Sequence, residues 1–131
     1  MRVNILCADG IHYLRVFRDG SIDAQATVAS TWETFEFEEH ADQRFSLRTL
    51  GSHPQPNQYL RAQAGGGGDL SADRDVPNDH EKFGKLALGG GKLAIRTRNG
   101  SYWRAKHKGG AELDCRATVP DLWEVFTIQV V

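Results

Sequence analysis

Three times along this chain of 131 residues a glutamate follows a flat ring: Trp32-Glu33, His80-Glu81 and Trp123-Glu124. Three times an arginine closes a short segment begun by tyrosine: Tyr13-Leu14-Arg15, Tyr59-Leu60-Arg61 and Tyr102-Trp103-Arg104. A ring face, a carboxylate and a guanidinium are together the means of holding a sugar. The indole face covers the apolar C–H face of a pyranose, and the charged groups hydrogen-bond its hydroxyls in a two-pronged manner. This chemistry nominates Trp32, Glu33 and Arg15 as one ligand-binding set, Trp123, Glu124 and Arg104 as another, and His80, Glu81 and Arg61 as a third with a smaller stacking surface. A purely architectural account stands beside it. The glutamate would satisfy backbone N–H groups in the turn before the last strand, and the arginine would pair with it or with another carboxylate. Trp32 and Trp123 are open to the same choice, as platforms for a ligand or as plugs at the bottom of a barrel with the indole N–H bonded to backbone.

Other chemistry finds no residues to carry it. The run Gly65–Gly68 has no Gly-Lys-Ser/Thr after it, and Gly89-Gly90-Gly91-Lys92 runs into Leu93, so neither is a phosphate loop. No Gly-x-Ser-x-Gly elbow is present. His12, His40, His53, His80 and His107 are scattered without ligand spacing. Cys7 and Cys115 fall where the sister copies have Thr49/Thr97 and Ala24/Ala72, which marks them as small buried residues; spacing does not establish a bond between them. We therefore expect no catalysis, no cofactor and no metal site. A formal charge of −1 gives no field to recommend nucleic acid or an anionic membrane. No apolar run approaches the ~20 residues of a membrane span. Residues 1–10 read as a first strand rather than a signal peptide, so a cytoplasmic location is expected.

The elements that position these residues are legible from a repeat. Residues 22–35 (IDAQATVASTWETF), 70–83 (LSADRDVPNDHEKF) and 113–126 (LDCRATVPDLWEVF) align without a gap. Upstream, residues 2–7, 44–49 and 92–97 align as well, each with apolar residues two apart, the mark of a strand with one buried face. Each unit reads as four short strands separated by glycine-bearing turns, with boundaries near 2–43, 44–91 and 92–131. Asn99-Gly100 is the sharpest turn signal. The middle unit carries an insert at 52–58, where Pro54 and Pro56 predict a surface loop. Tyr13, Tyr59 and Tyr102 are expected in the core. Phe17 and Trp103 break the repeat and look less structural, Phe17 being the better candidate for an exposed contact. No helix of useful length is predicted. Three copies of about 40–50 residues that bury their faces on one another point to one closed, pseudo-threefold all-β domain, a β-trefoil.

Leu47-Arg48-Thr49, Tyr59-Leu60-Arg61-Ala62, the glycine-rich turn, Leu70-Ser71-Ala72-Asp73-Arg74-Asp75 and the sister segment Trp32-Glu33-Thr34-Phe35 resemble the fascin-like β-trefoil repeat. The resemblance covers essentially the whole chain. It implies the fold, and a binding role of unspecified kind, because one scaffold of this type serves many binders. Fascin itself has four tandem trefoils against one here, so actin crosslinking is not carried over. The favoured expectation is a multivalent, lectin-like module for a glycan or polysaccharide. The alternative is a protein-interaction module, cytoskeletal or otherwise, using loops such as 52–58.

Overall fold

The computed structural model describes residues 1–131. Twelve strands follow in chain order: β1 (Arg2–Cys7), β2 (Tyr13–Val16), β3 (Ile22–Ala26), β4 (Thr34–Glu39), β5 (Arg44–Thr49), β6 (Tyr59–Ala62), β7 (Leu70–Arg74), β8 (Phe83–Gly89), β9 (Lys92–Arg96), β10 (Tyr102–Ala105), β11 (Leu113–Ala117) and β12 (Phe126–Val130). The only helical pieces are single turns of 3₁₀ helix. Alternation decides the inward face: Val3, Ile5 and Cys7 of β1 and Phe45, Leu47 and Thr49 of β5 are buried.

Six strands close a barrel. β1 pairs β4, β4 pairs β5, β5 pairs β8, β8 pairs β9, β9 pairs β12, and β12 returns to β1, every pairing antiparallel. The hairpins β2–β3, β6–β7 and β10–β11 fold over one end, each joined to the barrel through β1, β5 or β9. Closure leaves the barrel no free edge. This is a β-trefoil.

The cap is tied together by a cycle of equivalent hydrogen bonds. Ala72 N–H donates to Gly20 O at 2.8 Å, Cys115 N–H to Gly68 O at 2.9 Å, and Ala24 N–H to Ala111 O at 3.1 Å. Each hairpin thus takes its neighbour's turn, so the three units support one another. Glycine is required where those turns approach side chains. Gly109 has φ of +129°, and a Cβ there would stand 2.6 Å from the Asp9 carboxylate.

The core settles two of the sequence expectations. Trp103 is 0% exposed, packed edge-on to Phe83 at 4.9 Å and to Phe126 at 6.2 Å. It is a core residue, contrary to the expectation drawn from its break with the repeat; the third unit simply uses a larger side chain where Leu14 and Leu60 are buried in the others. Its indole N–H has no hydrogen-bond partner. The 52–58 insert is the expected surface loop, with Ser52, Pro54, Pro56 and Asn57 exposed and one side chain anchored inward. His53 is buried, its Nε2–H donating to Val16 O at 2.8 Å while its Nδ1 accepts from Gln55 N–H at 2.8 Å. The insert is a fold element that holds the first hairpin.

Candidate functional site

The three glutamates are consumed by the backbone. Each closes a single 3₁₀ turn, at Thr31–Glu33, Asp79–Glu81 and Leu122–Glu124. Glu33 Oε1 accepts from Ser30 N–H at 2.8 Å, Glu81 Oε1 from Asn78 N–H at 2.8 Å, and Glu124 Oε1 from Asp121 N–H at 2.6 Å. All three side chains are buried. Reaching back over three residues to the backbone N–H before the turn is the glutamate half of a capping box. The signal was present in the sequence as Ser30-x-x-Glu33, Asn78-x-x-Glu81 and Asp121-x-x-Glu124.

The three arginines pair with aspartates on the adjacent strand of their own hairpins. Arg15 reaches Asp23 at 3.3 and 3.0 Å, Arg61 reaches Asp73 at 3.1 and 2.9 Å, and Arg104 reaches Asp114 at 3.1 and 2.8 Å, each through Nε and Nη2. These are fork-to-fork pairs that fix both partners. The hydrogen bonds it donates to Asp114 hold the Arg104 guanidinium still more firmly protonated than usual. Arginine and glutamate of one unit therefore lie in separate networks, and the sequence reading missed the aspartates.

The rings sit at the middle of the 3₁₀ turns, on no strand and outside the barrel core. Trp32 is half-buried between Phe17, 6.1 Å away and edge-on, and His53 at 5.6 Å. Phe17 is thus half-buried against Trp32, with the Arg15 guanidinium 4.7 Å from its ring centre. His80 is exposed and lies over Gly65, whose added Cβ would meet its Nε2 at 3.2 Å. Trp123 is the most open of the tryptophans at 36% exposure, leaning on His107 at 5.2 Å.

Around Trp123 lies a groove of about 420 Å³ with a mixed apolar and polar lining. Trp123, Leu122 and Val119 offer exposed apolar surface, and Arg116, Thr118 and Asp121 offer polar groups. The equivalent groove of the middle unit, about 460 Å³, has His80 with Arg74, Asn78 and Lys82 and no apolar lining. At Trp32 a shallow depression of about 550 Å³ is bounded by Phe17, Arg18, Asp19 and Ser21. An exposed valine, Val28, Val76 or Val119, stands four residues before each ring. Arg116, Thr118 and Asp121 were not singled out as site residues, although all three lie within seven residues of Trp123 in the sequence.

No protein-family model and no curated protein matches the chain. Among solved structures it is similar to the crystal structure of a designed 3-fold symmetric protein, ThreeFoil, with a TM-score of 0.83, 12% identity and 99% of each chain covered. At that identity the likeness concerns the fold alone.

Proposed function

We propose that this protein is a non-catalytic carbohydrate-binding module, with up to three weak sites, one in each unit, and the Trp123 groove as the principal one. The observation that carries the reading is the partly exposed Trp123 indole lining a groove together with polar side chains. A pyranose has the matching character, one face of C–H groups and a rim of hydroxyls. Thr118, Asp121 and Arg116, the last in an exposed pair with Asp69 at 3.2 Å, supply the donors and acceptors, in place of the buried Glu124 and of Arg104, which is forked to the nearly buried Asp114. The Trp32 site offers less open ring because Phe17 and His53 cover part of it, and the His80 site offers only an imidazole. Weak sites repeated around a threefold scaffold gain strength on a polymer through effective concentration.

The assignment to fascin-like trefoils is part of this proposal, resting on the Tyr-Leu-Arg and Trp-Glu-Thr-Phe segments. A protein partner at 52–58 is less well supported: the loop is exposed, but its His53 and Gln55 are spent on holding the fold.

The test is intrinsic fluorescence during titration with soluble glucan, galactoside and mannoside oligosaccharides. A saturable shift in the native protein that is lost in Trp123→Ala, with Tm preserved, is the expected result. A shift that Trp123→Ala leaves intact, or no shift with any glycan, rejects the proposal.

A further inference from the structure

Gly84 stands in register between two arginines. On one side β5 places Arg44 opposite Gly84, and on the other β9 places Arg96 opposite it. Directly opposed residues on antiparallel strands share a face, with Cβ positions about 4.5–5.5 Å apart. The neighbouring pair Phe45 and Phe83 points into the core, so the Arg44–Gly84–Arg96 row points outward. A Cβ added to Gly84 would meet nothing within 4 Å, and its backbone is not in the left-handed region. The middle of the row is an open slot.

The pseudo-symmetry shows what such a slot accommodates. Arg2, Glu36 and Arg48 occupy the corresponding positions one unit earlier, with Arg2 opposite Glu36 and Glu36 opposite Arg48. There the chain supplies its own carboxylate, and Arg2 Nε donates to Glu36 Oε1 at 3.0 Å. The third row is Lys92, Thr127 and Leu6, in which Lys92 Nζ donates to Thr127 Oγ1 at 3.2 Å. Only the middle row keeps two arginines and drops the acceptor between them.

Its surroundings reinforce the imbalance. The row borders a groove of about 630 Å³ with no hydrophobic lining residue. Lys82, Lys85 and Arg98 join the two arginines there, against the carboxylates of Asp42 and Asp79 alone. Asp79 is engaged loosely by Arg44 at 4.0 Å and Arg98 at 3.6 Å, which leaves Arg96 and Lys82 without a carboxylate partner. On a protein of net charge −1 this is a concentrated positive patch.

We propose that the Arg44–Gly84–Arg96 row binds an exogenous carboxylate, the group that Glu36 provides internally in the sister row, carried on a polar ligand of sugar size such as a hexuronate. The guanidinium forks are suited to the two oxygens of a carboxylate, and the polar groove suits the hydroxyls of the rest of the ligand. This site is separate from the Trp123 groove.

The experiment is a two-dimensional amide and guanidinium Nε–H titration of the full chain at low salt, with glucuronate, galacturonate, acetate, inorganic phosphate and the neutral parent sugars. Saturable shifts centred on Gly84, Arg44 and Arg96 are expected with the uronates and absent with the neutral sugars. Acetate reproducing them at equal affinity identifies a plain carboxylate site that uses no sugar hydroxyls, which overturns the sugar-sized ligand. Phosphate matching the uronates overturns the carboxylate assignment. Gly84→Glu rebuilds the sister row and places a tethered carboxylate in the slot. Uronate affinity is expected to fall roughly tenfold or more with the loss of a charge-assisted pair, while Tm holds or rises. Arg96→Gln, on an exposed side chain, gives the same loss without depending on how Gly84→Glu folds. Unchanged affinity in both variants, or no saturable shift at the row, overturns the proposal. Trp123→Ala is expected to leave the uronate shifts intact, so failure of the neutral-sugar reading and failure of this one are separately visible.

Discussion

Arg61 clasps Asp73 through two hydrogen bonds of 3.1 and 2.9 Å, although the residue directly across from it on β7 is Ser71. In the other units the residue across from the arginine is itself the partner, Asp23 for Arg15 and Asp114 for Arg104. Asp73 lies two residues farther along the strand, hence on the same face, and the long guanidinium arm spans the offset. The ion pair has been kept while its acid has moved. All three hairpins thus carry the pair, by two different registers.

The environments of these pairs set their worth. The Asp114 side chain is 7% exposed and that of Asp73 is 39% exposed. Arg104→Ala strands a nearly buried carboxylate and is expected to cost on the order of 2 kcal/mol, below the ~3–5 kcal/mol of a fully buried pair because Arg104 itself is partly solvated. Arg61→Ala is expected to cost about 1 kcal/mol or less, as exposed pairs do. Urea unfolding of the two variants checks the order, and equal losses would contradict it.

Glu33, Glu81 and Glu124 answer to the backbone, so their removal acts on stability first. Glu124→Ala exposes the Asp121 N–H and opens the 3₁₀ turn, at an expected cost of about 1–2 kcal/mol, the range for a lost cap. Because that turn carries Trp123, thermal melts are to be read together with glycan titration at a temperature where the variant is fully folded. The expected outcome is a lowered Tm with sugar affinity reduced far less than in Trp123→Ala.

Glu36 makes part of the stability acid-sensitive. Its hydrogen bond from Arg2, acting against partial desolvation and aided by the N-terminal ammonium and Arg48, holds its carboxyl below the usual 4.5. The unfolded chain therefore takes up this proton at a higher pH than the folded one. The stabilisation is complete above about pH 4.5 and is lost as pH falls through the depressed native value. Glu36→Gln is expected to flatten the acid limb of Tm against pH without abolishing it, since Asp9 and Asp19 are also held low. An acid limb identical to that of the native protein would contradict the assignment.

Cys7 and Cys115 are free and buried. Burial, with Asp9 and Asp23 nearby, pushes the Cys7 thiol up to about 12, and burial raises Cys115 as well. A thiol kept protonated is a poor nucleophile. Neither cysteine is expected to react with a disulfide reagent at pH 8 in the folded protein, and both are expected to react once it is unfolded in urea. Rapid labelling of the native form would show the cap to be open.

The fold was legible because trefoil symmetry writes the same strand, turn and strand pattern three times, and the apolar alternation of Val3-x-Ile5 recurs at Phe45-x-Leu47 and Leu93-x-Ile95. The capping role of Glu33, Glu81 and Glu124 was legible too, as one of two readings, since it depends on residues three apart. What the ring positions do was not, because their exposure depends on residues distant in sequence. Trp32 is half-covered by His53, which the 52–58 insert delivers from the next unit, whereas Trp123 has only His107 beside it. Trp103 misled for a related reason. A large residue at a Leu position is read as an intruder when its neighbours are unknown, and the room for it among Phe83 and Phe126 exists only in three dimensions.

The three tryptophans make the central claim directly observable, since each gives one indole N–H signal in a ¹H–¹⁵N spectrum and Trp103 is a buried internal control. Titration with neutral oligosaccharides is expected to move the Trp123 indole signal saturably and that of Trp32 less, while the Trp103 signal stays in place. If no glycan moves the Trp123 signal, or if Trp103 moves with it to the same extent, this groove is not a sugar site.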